Sequence, residues 1–205
     1  MNTISTEHIK FTGKWIANLK GNHYNLKKTR VSDVCSSNEH NMDDFIDKDF
    51  LKYLNQYKSN LVDLYANVVL NLVGDGILIN GRVKNDDSIL LKLHRKRFED
   101  GGKFALNKYL NDLLGFRIID TDYEKNIELV DQLALKSKQE GMRLLHKPRE
   151  NGDYRGYHIY FQGKDSKSFP VELQIWNAKN EQSNLTSHET YKKDYAFWPN
   201  IYKKG

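Results

Sequence analysis

With a single cysteine, Cys35, the chain cannot close an internal disulfide, and without a second thiolate it cannot build a cysteine metal cluster. Its seven histidines never recur at paired metal-ligand spacing. No apolar run approaches the ~18 residues that suggest a membrane-spanning helix, and no signal-peptide core follows Met1. The expectation is a soluble, cytoplasmic protein with no membrane partner. Neither a long polar linker nor a low-complexity tract divides the 205 residues, so one well-cored domain is the default.

Charge and patterning are what the chain does have. Thirty-two Lys and Arg against 27 Asp and Glu give a formal charge of +5. That balance favours nucleotides or RNA as partners, although charge alone is weak evidence and position matters more. Residues 1–42 read as a basic N-terminal arm or short helices packed on the domain. Lys27, Lys28 and Arg30 cluster there beside His23 and Tyr24, a set able to grip a phosphate backbone with aromatics nearby. A solvated charged turn explains the same cluster.

From Asp43 to Gly74, apolar residues from Phe45 and Phe50 through Leu61 and Val68 to Leu72 recur at three- and four-residue spacing, which predicts a core helix. Ile77 to Lys84 reads as a strand with Arg82 and Lys84 on one face. Asp86, Asp87 and Ser88 supply helix-start chemistry for a segment running to about Phe98. On it Ser88, Lys92 and Arg95 fall at i, i+4 and i+7, on one face. With Arg82 and Lys84 they would gather four cations and a hydroxyl near a helix N-terminus, a suitable place for a polyphosphate. An ordinary basic amphipathic helix fits the spacing equally well.

Asp112 to Asp120 is expected to be a buried strand. Asp112 and Arg117 have opposite parity in it, so they share a face only if Asp112 precedes the strand or a bulge at Gly115 shifts the register. Asp122 should cap a helix that ends at Gly141. A short strand at 142–145 and a turn-rich basic loop at 147–153 should follow. In Tyr154 to Phe161, Tyr157, Ile159 and Phe161 point to the core, while Tyr154 and His158 share the other face.

In Val171 to Trp176 the alternation buries Val171, Leu173 and Ile175 and presents Glu172, Gln174 and Trp176 on an open face. A rigidly held Glu beside a second acid can take a proton from a hydroxyl or hold a metal, and Asp112 is the candidate partner. The last predicted element is a closing helix from His188 to Trp198. The expected fold is α+β, a mixed β-sheet flanked by helices, of nucleotidyltransferase-like kind.

Gly81-Arg82-Val83-Lys84 with Ser88 and Lys92, Asp112 to Arg117, Tyr154 to His158 and Glu172 to Ile175, in that order and spacing, resemble the RelA/SpoT synthetase domain over residues 45–198, within a domain spanning 43–205. The family moves the β,γ-pyrophosphate of ATP onto a ribose 3′-hydroxyl. The resemblance implies that Arg82 and Arg117 sandwich the donor adenine, and that Lys84, Ser88, Lys92 and Arg95 hold its phosphates. It implies Mg²⁺ on Asp112 and Glu172, with Glu172 also the base and Gln174 its support. Tyr154 would stack on the acceptor base with Arg155 and His158 beside it.

With no His-Asp dipeptide, the chain resembles a small, synthetase-only form. Asp153 stands where the family usually has Gly before the stacking Tyr, and Trp176 stands where it usually has Arg after Gln-Ile. Both departures argue against a free guanine-nucleotide acceptor, and Phe169 to Trp176, followed by Glu181-Gln182-Ser183-Asn184 and Ser187-His188, is similar to the toxin branch of small alarmone synthetases (toxSAS). That branch pyrophosphorylates the 3′ end of tRNA and so stops translation, and an antitoxin usually neutralises it. The expected acceptor is tRNA, gripped outside the pocket by Lys27, Lys28 and Arg30. The alternatives are (p)ppGpp or (p)ppApp synthesis from GDP, GTP or adenine nucleotides, and a catalytically inactive RNA-binding module.

Overall fold

A computed structural model describes residues 1–19, 24–38, 44–139 and 141–190. Its centre is a five-stranded sheet in the order β1-β2-β5-β4-β3, made of β1 (Asn80–Val83), β2 (Leu114–Ile119), β3 (Arg143–Asn151), β4 (Tyr154–Gln162) and β5 (Val171–Trp176). The pair β2 and β5 is parallel and every other neighbour antiparallel, so the sheet is mixed as expected.

Strand alternation divides the sheet into two chemically different faces. Leu114 and Phe116 of β2, Ile159 and Phe161 of β4, and Val171, Leu173 and Ile175 of β5 are buried in the core. Helices α1 (Asn2–Asn18) and α3 (Lys48–Gly74) contribute to the same core, α1 through Ile4, Phe11 and Trp15 and α3 through a stripe from Phe50 to Leu72. The N-terminal region is therefore neither an arm nor a set of short pieces at its start. Ile4, His8, Phe11 and Trp15 lie on one face of a 17-residue helix, and the His in that stripe masks its apolar period.

Several boundaries move for local reasons. α3 begins at Lys48 because the Asp47 side chain accepts from the Phe50 N–H, while Phe45 is buried in the preceding segment. Helix α4 (Asp86–Glu99) is capped by Asn85, whose side chain accepts from the Ser88 N–H, one residue before the expected acids. Short helices α2 (Val31–Val34) and α5 (Leu106–Tyr109) join these pieces, and α6 (Ile127–Gln139) follows a 3-10 turn that Asp122 precedes without a side-chain capping hydrogen bond.

The predicted basic loop at 147–153 is instead mostly strand. β3 runs through Pro148, which the outer position permits because an edge strand has one side with no ladder to supply. Gly152 and Asp153 close the β3–β4 hairpin, with Gly152 at φ 56° in the first turn position. Residues 181–190 are helical. The remainder of the predicted closing helix, 191–198, lies outside the described residues, as does His23.

Candidate active site

The second face of the sheet forms the floor of a cleft of about 2140 Å³, with α4 along one side. Register explains the floor. Arg82, Gly115, Glu172 and Tyr160 stand in one row across β1, β2, β5 and β4, and Asn80, Arg117, Gln174 and His158 in the next. Gly115 and Glu172, and Arg117 and Gln174, far apart in the chain, thus become neighbours through strand pairing alone.

Asp112 sits just before β2, which resolves its parity with Arg117 without a bulge at Gly115. Its two oxygens are both taken. Oδ2 accepts from Lys84 Nζ at 2.8 Å and Oδ1 from Lys92 Nζ at 2.9 Å. Burial pushes the Asp112 carboxyl up, but the Lys92 and Lys84 charges outweigh it and hold the group at about 2. A single carboxylate therefore organises two of the cations expected at a polyphosphate site.

Glu172 is 6 % exposed. Its Oε1 lies 2.9 Å from His158 Nδ1, and its Oε2 accepts from Gln174 Nε2 at 2.9 Å. Burial raises its pKa, yet the His158 contact outweighs that and leaves the carboxyl below its ordinary range, while the Asp112 charge pulls it upward. The two acids are thus ionised and within electrostatic reach of each other.

Trp176 differs from its expected place on an open face, being fully buried. The Arg117 guanidinium lies 3.5 Å over its ring, and His188 stacks on it with centroids 5.5 Å apart. Helical residues 181–190 carry His188 over this corner, covering a face that alternation alone would leave open. Tyr154 is covered too, at 8 % exposure, with its hydroxyl 3.0 Å from Trp176 Nε1 and 2.7 Å from His158 Nε2.

Arg82, Lys84, Ser88, Lys92, Arg95, Asp112, Arg117, Tyr154, His158, Glu172, Gln174 and Lys27 all line the cleft. Arg155 does not. Its odd parity puts it on the opposite face from Tyr154 and His158, where it pairs with Glu150 at 3.6 Å. Lys28 and Arg30 also lie off the cleft, although both are exposed.

Other lining residues were not anticipated. Arg143, Lys147 and Arg149 project from alternate positions of β3, and Tyr160 from the row of Glu172. Tyr160 was available from alternation with His158. Lys147 and Arg149 fall in the expected loop 147–153, which hides their alternation with Arg143.

Residues 81–196 match the family model described as a region found in RelA / SpoT proteins, more than half of the chain. The chain belongs to the RelA/SpoT family. No curated protein is a match to the sequence. Three solved structures of small alarmone synthetase 1 from Bacillus subtilis are similar to this RelA/SpoT chain. One is 22% identical, with a TM-score of 0.42, covering 72% of this chain and 79% of that one. The same enzyme bound to its product pppGpp is 18% identical, with a TM-score of 0.46 and coverage of 77% and 88%. Bound to AMPCPP it is 21% identical, with a TM-score of 0.39 and coverage of 72% and 80%. At those levels the chemistry rests on this RelA/SpoT chain's own residues.

The residues fit the Mg²⁺ that the family implies. Mg²⁺ favours hard oxygen donors and commonly takes one or two carboxylates plus substrate phosphates. Asp112 and Glu172 supply two ionised carboxylates. Gly115, in register with Glu172, leaves room beside it, since a Cβ there would stand 3.7 Å from Glu172 Oε2. Among the described residues no cluster of three or more His, Cys, Asp and Glu exists, which leaves substrate oxygens to complete the coordination.

Proposed function

We propose that this RelA/SpoT-family protein is an ATP-dependent pyrophosphokinase whose acceptor is the 3′-terminal adenosine of tRNA, and that it acts as a translation-blocking toxin held in check by an antitoxin. The observation that carries the transfer is Asp112 held between Lys84 and Lys92 at the edge of a cleft whose floor presents an ionised, buried Glu172.

ATP would lie with its adenine between Arg82 and Arg117 and its phosphates along Lys84, Ser88, Lys92 and Arg95. Bound Mg²⁺, held by Asp112 and Glu172, would neutralise charge on the transferring group. Glu172 accepts the proton of the acceptor 3′-hydroxyl. That oxygen bonds to the β-phosphorus as the bond from β-phosphorus to the α,β-bridging oxygen breaks, and AMP leaves. Such a transfer relies on charge neutralisation and alignment more than on an elaborate nucleophile.

The polymer acceptor is supported by cations beyond the donor pocket. Lys27, Arg143, Lys147 and Arg149 line the same cleft, with the last three on the outer strand β3. A tRNA end would bring phosphates to that rim. A free nucleotide has few to offer.

The test offers γ-labelled ATP and Mg²⁺ with deacylated tRNA, GDP, GTP and AMP in parallel. Label on the tRNA 3′ end is the expected result. Label on a free nucleotide would make the protein an alarmone synthetase instead. Binding of RNA without label on any acceptor would leave a binding module.

A further inference from the structure

We propose that Asn80 selects adenine in the donor nucleotide, its side-chain amide accepting from the N6 amino group and donating to N7. This rests on the reading that the donor base stacks between Arg82 and Arg117.

The register of β1 on β2 puts four residues at the corners of a square on the cleft face. Asn80 stands opposite Arg117, and Arg82 opposite Gly115. The two arginines therefore share one diagonal, while Asn80 and Gly115 share the other. Diagonal neighbours in an antiparallel pair lie about 7 to 8 Å apart, and a flat ring in van der Waals contact with a planar group on each side needs about 7 Å. A base held between the guanidiniums consequently lies along the second diagonal, with Asn80 in its plane at one end. Hydrogen bonds to a base edge are made in that plane, so this corner reads the base while the arginines only stack on it.

The opposite corner fixes which edge is read. Beyond Gly115 the strands lead to Lys84, whose N–H donates to the Leu113 carbonyl, and to Asp112. The ribose and phosphates leave the slot by that end, toward Lys84, Ser88 and Lys92. The edge far from the ribose, which carries N6 and N7, is then turned to Asn80.

Local packing holds the corners in place. Trp176 covers one face of the Arg117 guanidinium and Gln174 Oε1 accepts from its edge, which leaves the other face for a base. Burial lowers the Arg117 pKa and the Arg82 charge lowers it further, so the two guanidiniums lie within electrostatic reach. Gly115 keeps the slot open, since a Cβ there would meet nothing nearer than Glu172 Oε2 at 3.7 Å. At Gly81 a Cβ would stand 2.6 Å from Phe116 Cδ1 and 2.9 Å from Tyr65 Cε2, so its absence seats β1 on those rings and fixes the register. Asn80 itself is exposed, lines the cleft, and makes no side-chain hydrogen bond among the described residues.

An amide carries an acceptor beside a donor, the complement of adenine N6 and N7. Guanine and hypoxanthine present two acceptors there, O6 and N7, and set O6 against the Asn80 carbonyl. Stacking on arginine treats all three purines alike. Selection therefore resides in Asn80.

Calorimetric titrations with ATP, 7-deaza-ATP and ITP, in Mg²⁺ and without acceptor, test this. 7-Deaza-ATP keeps N6 and replaces N7 by C–H, whereas ITP replaces the amino group by O6. Wild type should bind 7-deaza-ATP about fivefold and ITP roughly 10- to 30-fold more weakly than ATP. In Asn80→Ala the three should fall within about twofold of one another. Asn80→Asp offers only acceptors and should bind 7-deaza-ATP more tightly than ATP. Equal wild-type affinity for ATP and 7-deaza-ATP, or wild-type ratios in Asn80→Ala, would overturn the proposal. Arg82→Ala separates the two possible failures. An equal loss of affinity for all three nucleotides there, with the ratios of Asn80→Ala unchanged from wild type, rejects Asn80 and keeps the stacked base. Unchanged affinities in Arg82→Ala would discard the stacked base and the proposal with it.

Discussion

The Arg117 guanidinium lies flat over the Trp176 ring, 3.5 Å from its centroid, and donates to Gln174 Oε1 from Nε at 3.3 Å and Nη2 at 3.1 Å. Trp176 thus supports the very side chain expected to face the donor adenine. A desolvated cation–π contact of this kind contributes on the order of 1 to 2 kcal/mol. Trp176→Leu should therefore weaken ATP binding by roughly 5- to 30-fold. Calorimetric titration with ATP checks this, and an unchanged affinity would detach Trp176 from the donor site.

Asp112 has opposite effects in the two metal conditions. Without Mg²⁺ its carboxylate occupies Lys84 and Lys92, the cations that the phosphates need. Asp112→Asn should then bind metal-free ATP more tightly than wild type. With Mg²⁺ the variant loses a ligand, and transfer should fall at least ~100-fold, in line with removal of a principal electrostatic group. Weaker metal-free ATP binding in the variant would contradict the proposed competition.

His8 makes stability depend on pH away from the cleft. Burial pushes its imidazole down to about 4, with the Phe169 backbone and Asp165 opposing. The folded protein holds His8 neutral, whereas the unfolded chain protonates it near 6.5. Its contribution is complete above about pH 6.5 and is lost as pH falls toward 4, about 3 kcal/mol in all. Urea unfolding at pH 7 and pH 4.5 should show a smaller difference for His8→Leu than for wild type. Parallel behaviour of the two proteins would assign the acid sensitivity elsewhere.

The basic N-terminal cluster is not a single unit. Lys27 lines the cleft and donates to the Lys164 carbonyl at 3.3 Å, while Lys28 and Arg30 lie off it. Lys27→Ala should weaken tRNA binding and lower the salt slope by about one unit. Lys28→Ala should do less, and neither should change ATP affinity. Filter binding over a salt series distinguishes them, and equal effects on tRNA would restore the cluster as a unit.

Much of the site was legible because local periodicity is a short-range property. The even positions of β5 place Glu172 beside Gln174, and the helical spacing of Ser88, Lys92 and Arg95 puts them along one cleft wall, as the sequence indicates. Arg155, at odd parity to Tyr154 and His158, faces away from the cleft, as strand alternation alone indicates. The β3 strand was not legible, because Pro148 and the polar residues around it satisfy a loop as well as an edge strand. Only its pairing with β4 from Asn151 back to Arg143 selects the strand.

By itself the sequence determined which residue types carry the chemistry and which side of each strand they occupy, since alternation and helical period depend on neighbours a few positions apart. Tertiary structure decided what stands beside what. Asp112 meets Lys84 and Lys92 across β1, α4 and the start of β2, and Tyr154 loses its exposure to Trp176 and His188. Both outcomes depend on strand order and on a helix folding back over the sheet. Those are long-range choices, fixed by burial of the core face and carried without local signal in any one segment.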